Sequence, residues 1–88
     1  MRCVYKLEID SSVMELDLPK GLKVVLIGKQ NGKTCMWYEF ESSAPLVYTM
    51  IKEICTGIYD DKLEHIGSLI DGGLVYHYYM KQPHGFKD

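Results

Sequence analysis

The chain reads as a small all-β protein, a compact antiparallel roll or sandwich of six to seven short strands. Three observations carry that reading. Apolar and polar residues alternate with period two in several short runs, the signature of half-buried strands. Two such runs flank Asn31-Gly32, the strongest short-range hairpin signal, because both central residues of a type I′ turn need positive φ. Tyrosine is in excess, with seven in 88 residues beside Trp37, Phe40 and Phe86. Such rings suit half-buried strands and interfaces, since the body is apolar and the hydroxyl stays wet.

The elements follow in chain order. Residues 3–9 alternate Cys3, Tyr5, Leu7 and Ile9 against Val4, Lys6 and Glu8. Asp10-Ser11-Ser12 is a turn cluster. Residues 13–18 alternate again, with Met14, Leu16 and Leu18 inward and Glu15 and Asp17 outward. Together the two runs read as an antiparallel hairpin. Pro19-Lys20-Gly21 ends the ladder, because proline cannot donate and glycine permits the bend.

The Asn31-Gly32 hairpin comes next. A two-residue loop places Gln30 opposite Lys33, Gly28 opposite Cys35, Leu26 opposite Trp37, Val25 opposite Tyr38 and Val24 opposite Glu39. One face then carries Val24, Leu26, Cys35 and Trp37. The other carries Val25, Ile27, Met36, Tyr38 and Phe40. Both faces are largely apolar, so a second layer or a partner subunit is expected on each.

Residues 42–57 support two readings. Leu46, Met50, Ile51, Ile54 and Ile58 recur at helical spacing, with Ser43 as a cap, Pro45 in a first turn and Gly57 as a terminator. The same stretch is rich in Val, Tyr, Thr and Ile, which prefer strands. A helix over 46–56, giving an α+β fold, stays open on these residues alone.

Asp60-Asp61-Lys62 reads as a turn and residues 63–70 as a short strand. Asp71-Gly72-Gly73 repeats the tight-turn chemistry of Asn31-Gly32. Residues 74–81 form the last strand, with Val75, His77 and Tyr79 on one face. Gln82 to Asp88 contains Pro83 and Gly85 and reads as a flexible tail. The whole chain, 1–88, is one domain. A domain this short buries roughly 60–65% of its unfolded surface, so assembly into a homo-oligomer would help it.

Composition excludes several classes. The net charge is −2 and the charges are dispersed, so no basic stripe exists to neutralise a DNA or RNA backbone. The longest apolar run, Val24 to Ile27, is far too short to cross a bilayer. No apolar leader follows Met1. Cys3, Cys35 and Cys55 are odd in number and far apart, which is neither a disulfide framework nor a zinc pattern. Reduced thiols in a cytoplasm are the simplest expectation.

Few residues invite chemistry. His77 lies mid-strand between aromatics, where a neutral imidazole can both donate to and accept from a ligand. Its plainer reading is a half-buried histidine bonded across the sheet, and that reading is stronger still for His65. His84 lies in the tail and needs no role. The histidine spacings match no metal site, so no metal or cofactor is expected. Nothing visible activates a thiol, and Asp60-Asp61 with Glu64 reads as a solvated turn, so no catalytic residue and no enzyme are expected. The richer constellation is Trp37 with Tyr38, Tyr76, Tyr78 and Tyr79, because aromatic faces stack on nucleobases. Lys29, Lys33, Asn31 and Thr56 would grip phosphates if the hairpin tip folds near Thr56-Gly57. The candidate ligand residues are therefore Trp37, Asn31, Lys33, Thr56, His77 and Tyr79. The plainer reading makes these rings core and subunit interface.

The order of signals resembles a widespread uncharacterised family of short bacteriophage and bacterial proteins. The residues that carry the resemblance are Leu18-Pro19-Lys20-Gly21, Gln30-Asn31-Gly32, Met36-Trp37, Thr56-Gly57, His65-Ile66-Gly67 and Val75-Tyr76-His77-Tyr78-Tyr79. It covers about residues 3–80. Two departures stand out: the usual Gly-Thr-Gly-His reads Cys55-Thr56-Gly57-Ile58, and Tyr76 replaces a common tryptophan. The resemblance implies an all-β fold with residues 47–56 as a strand, and no established activity. It also implies a phage or prophage protein in the host cytoplasm. Small oligomeric phage proteins can sequester nucleotide-derived immune messengers, and a non-enzymatic sponge of that kind is one expectation. The other is a protein-interaction module acting on a host factor through an exposed edge strand.

Overall fold

A computed structural model describes residues 1–57 and 62–82. These residues form seven strands: β1 (Arg2–Glu8), β2 (Val13–Pro19), β3 (Lys23–Gln30), β4 (Lys33–Glu41), β5 (Leu46–Cys55), β6 (Glu64–Asp71) and β7 (Leu74–Lys81). They build two antiparallel sheets, of order β1-β4-β3 and β2-β5-β7-β6. The fold is all-β. The segment 46–56 is strand rather than helix, because β5 is paired on both sides, by β2 and by β7. Thr49 and Ile51 alternate into the core on that strand, and its helical spacing is incidental.

The first two strands correct the expected hairpin. β1 pairs with β4 and β2 with β5, so consecutive strands lie in opposite sheets. Ile9 N–H extends the β1 ladder to the Thr34 carbonyl before the chain crosses over. Alternation tells which face of a strand is apolar; it does not tell which strand lies beside it. Here Cys3 and Leu7 join the core from one sheet, and Met14 and Leu16 from the other.

Met36, Thr49, Ile51 and Tyr78 are fully buried between the sheets. Tyr38 and Phe40 stack at 5.6 Å, and Tyr5 meets Phe40 edge-on at 5.0 Å. Tyr78 donates from its hydroxyl to Glu53 Oε2 at 2.6 Å. Burial first, then the Glu53 hydrogen bond, pushes the Tyr78 phenol far above its ordinary range.

Both tight turns form as the sequence implies. Asn31 and Gly32 have φ of 53° and 77°, and Gly72 and Gly73 have φ of 60° and 87°. Two β-bulges then shift register, at Val25 in β3 and at Ile66 in β6. The first one revises the hairpin pairing: Leu26 opposes Trp37 as expected, but Val24 opposes Tyr38 and turns inward, leaving Val25 outside. Bulges on edge strands twist them away from further pairing. β3 and β6 are also the strands that meet across the seam of the sandwich. There Gly67 lies under Ile27, and a Cβ on it would come within 2.8 Å of Ile27 Cδ1.

Gln82 belongs to the fold rather than to a tail. Its Nε2 donates to the Pro19 carbonyl and to Thr49 Oγ1, each at 3.0 Å, and its Oε1 accepts from Gly21 N–H at 3.1 Å. The rest of the expected tail, 83–88, lies outside the described residues, as does the turn at Asp60-Asp61.

Candidate functional site

The central strand of the site is β7, whose side chains alternate between core and solvent. Tyr76, Tyr78 and Met80 point inward; His77, Tyr79 and Lys81 share the outer face. On that face β6 lies to one side and β5 to the other. Ser68 is directly opposite His77, and Ile54 is opposite it on β5.

Four polar side chains form one line across this face. Thr56 Oγ1 lies 3.3 Å from His77 Nε2. His77 Nδ1 lies 2.9 Å from Ser68 Oγ, and Ser68 Oγ lies 3.0 Å from His65 Nε2. Tyr79 packs its ring edge-on against His65 at 5.2 Å, and the two imidazoles sit 6.2 Å apart. Lys52 is opposite Tyr79, and Lys81 is opposite Met50. Further out on the same face, burial and then Glu15 raise the Tyr48 phenol above its ordinary range.

The six expected ligand residues divide between two surfaces. Thr56, His77 and Tyr79 come together on the outer face of the four-stranded sheet. Trp37 lies on the outer face of the three-stranded sheet, beside Leu26 and Lys6. Asn31 is at the hairpin tip, and Lys33 faces Glu8 at 3.8 Å. The tip reaches the second sheet through Lys29, which pairs with Asp71 at 3.1 Å. The aromatic constellation also separates, because period-two alternation sends Tyr38 and Tyr78 into the core and Tyr79 outward.

Two members of the line, Ser68 and His65, were not among those six. Ser68 was within reach of the sequence: a two-residue Gly72-Gly73 loop pairs Ser68 with His77 by counting back from the turn. His65 was not. An unbroken register would place it opposite Met80, on the inward face; the bulge at Ile66 moves it opposite Tyr79 and outward.

His65 also lines a cleft of about 200 Å³ on the seam between the sheets, where Lys23 and Val24 approach Glu64 and Ile66. Among the described residues, no three His, Cys, Asp or Glu side chains gather as a metal site. Among them, too, no helix is long and apolar enough to cross a membrane. Cys35 is buried and its thiol donates to the Lys33 carbonyl at 3.6 Å; Cys55 is exposed at the end of β5.

Fold and face together define a small two-sheet β-domain with a hydrogen-bonding line of histidines and hydroxyls on one exposed sheet. The chain belongs to the family described as a domain of unknown function, DUF7352, whose model matches residues 1–85. No curated protein and no solved structure matches it significantly.

Proposed function

We propose that this is a non-enzymatic phage or prophage binding protein, an oligomeric sponge that sequesters a nucleotide-derived immune signalling molecule in the host cytoplasm. The observation that supports this reading is the shared outer face of Thr56, His77 and Tyr79, extended by Ser68 and His65. An aromatic ring on an exposed sheet offers a base-stacking surface tolerant of base identity. The neighbouring hydroxyls and imidazoles supply donors and acceptors for polar groups, and Lys52 and Lys81 supply positive charge.

Isothermal titration against cyclic di- and trinucleotides and ADP-ribose derivatives tests the reading. Saturable heats that weaken at least ten-fold in Tyr79→Ala support it. Uniformly flat heats overturn it. Light scattering coupled to size-exclusion chromatography tests assembly, and a stable monomer at high dilution removes that part.

A second reading, a module that binds a host protein, is favoured by the opposite surface. Val4 and Leu26 are 57% and 56% exposed, and both lie on the outer face that carries Trp37. Pull-down from host lysate with the native protein and Trp37→Ala separates the two. A sponge retains a small molecule with or without Trp37. An interaction module retains a polypeptide and loses it in the variant.

A further inference from the structure

The line Thr56–His77–Ser68–His65 has a proton inventory that points beyond a cross-sheet bond network. Three hydrogen bonds join its four groups. With both imidazoles neutral, each carries one N–H, and each hydroxyl carries one O–H. The line then closes on itself. Thr56 donates to His77 Nε2, His77 Nδ1–H donates to Ser68, and Ser68 donates to His65 Nε2. The reverse direction closes equally well. In either of these senses each bond has one proton and Ser68 spends its hydroxyl inside the line. A third neutral arrangement, with His77 Nδ1–H and His65 Nε2–H both donating to Ser68, turns that hydroxyl outward but adds no charge.

Protonation of both rings leaves only that third arrangement and adds two positive charges. His77 Nδ1 and His65 Nε2 would each carry a hydrogen, and both are aimed at Ser68 Oγ, from 2.9 and 3.0 Å. The serine oxygen can accept both through its two lone pairs. Its own hydrogen must then leave the line and point to solvent. Two cationic rings 6.2 Å apart now flank an outward O–H donor. An anion above Ser68 would accept that hydrogen and offset the repulsion between the rings.

We infer that Ser68, held between His65 and His77, is an oxyanion site that takes a phosphate group and fills as the histidines gain protons. The inference rests on the nucleotide reading only for the molecule that brings the phosphate. Neighbouring charge is mixed. β5 contributes Lys52, and β7 contributes Tyr79 and Lys81. β6 contributes Glu64, next to His65, and Asp71, which Lys29 already holds, and β3 contributes Lys23, which lines the seam cleft with His65. β2, beyond β5, contributes Glu15 and Asp17. Lys52 and Lys81 share the outer face with the line, but the charge that adjoins Ser68 itself is that of the two imidazoles. Imidazole is the side chain that changes charge between about pH 5 and 8.

The test follows the imidazole signals by NMR while sodium sulfate is added, with sodium chloride at equal ionic strength as the control. Sulfate stays a dianion over the range in which imidazole changes charge, so any pH dependence belongs to the protein. His65→Gln and His77→Gln assign the signals, and their circular dichroism shows that the fold is kept. The expected result is a saturable shift of both His65 and His77 signals at the acidic pH, at least five-fold weaker at the alkaline one. It is absent for the remaining ring in either variant. No saturable shift, or an equal shift with chloride, overturns the site. Cyclic di-AMP separates the two proposals. If it binds, with affinity lost in Tyr79→Ala, while sulfate moves neither His65 nor His77, the nucleotide reading stands and the oxyanion site falls. If sulfate binds there and the cyclic nucleotides and ADP-ribose derivatives all give flat heats, the site stands and the nucleotide reading falls.

Discussion

Tyr78 on β7 and Glu53 on β5 are register partners, and inside the sandwich the Tyr78 hydroxyl donates to Glu53 Oε2 at 2.6 Å. A fully buried phenol is thereby joined to a carboxylate. The ring fills the space between the sheets, while its one polar atom is satisfied locally. A buried donor left without a partner would cost about 1–3 kcal/mol.

That pair sets an alkaline limit on stability. Burial and Glu53 raise the folded-state phenol of Tyr78 above the ordinary value of 10.0. The unfolded chain therefore loses this proton first, and stability falls as pH rises past about 10. Tyr38 and Tyr48 are raised as well and act in the same direction. Tyr78→Phe is expected to cost about 1–2 kcal/mol at neutral pH, because Glu53 loses its donor. It should also flatten, without abolishing, the loss above pH 10. Urea unfolding at a series of pH values checks both.

Gly67 is a contact between sheets. A methyl there would meet Ile27 Cδ1 at 2.8 Å and Cγ1 at 3.2 Å, and its φ is +157°. Gly67→Ala is expected to destabilise by about 1–3 kcal/mol through overpacking. Ile27→Val removes the colliding Cδ1. The double variant should therefore be less destabilised than the two single costs added together. A double-mutant cycle by denaturant unfolding measures that coupling.

Gln82 ties the β2–β3 connection to β5 through three hydrogen bonds. Gln82→Ala is expected to cost about 1–3 kcal/mol, since Thr49 Oγ1 loses its donor and Gly21 N–H its acceptor. Amide hydrogen exchange should quicken at Gly21 first. Unchanged exchange there would show that the clip contributes nothing.

The two tight turns are expected to differ in their tolerance. Asn31 holds φ of 53°, and Asn31→Ala should cost up to about 1 kcal/mol, because alanine lacks the local side-chain hydrogen bonding that lets asparagine visit the left-handed region. Asn31→Gly should be close to neutral. Gly73 holds φ of 87°, and Gly73→Ala should cost at least as much as the alanine at Asn31. Thermal unfolding of the three variants ranks them.

Much of this molecule was legible in its residues. Asn31-Gly32 and Gly72-Gly73 located two hairpins, and counting back from the first gave the pair Leu26–Trp37. Alternation assigned Met14, Leu16 and Leu18 to an inward face. The weakly legible part was 46–56, where apolar residues satisfied two periods at once. Pairing on both sides of β5 resolved it, because a central strand gains two ladders of hydrogen bonds.

What the sequence determined by itself was local: turn positions, strand faces and the all-β character. Beyond the two tight hairpins, the tertiary structure alone decided which strands became neighbours, since a period of two names a face and not a partner. It also decided the two bulges. Each lies on an edge strand at the seam where β3 meets β6, and each reverses the face of the residues beyond it. One turns Val24 into the core. The other turns His65 out of it, beside Ser68, and so completes the line on the outer face.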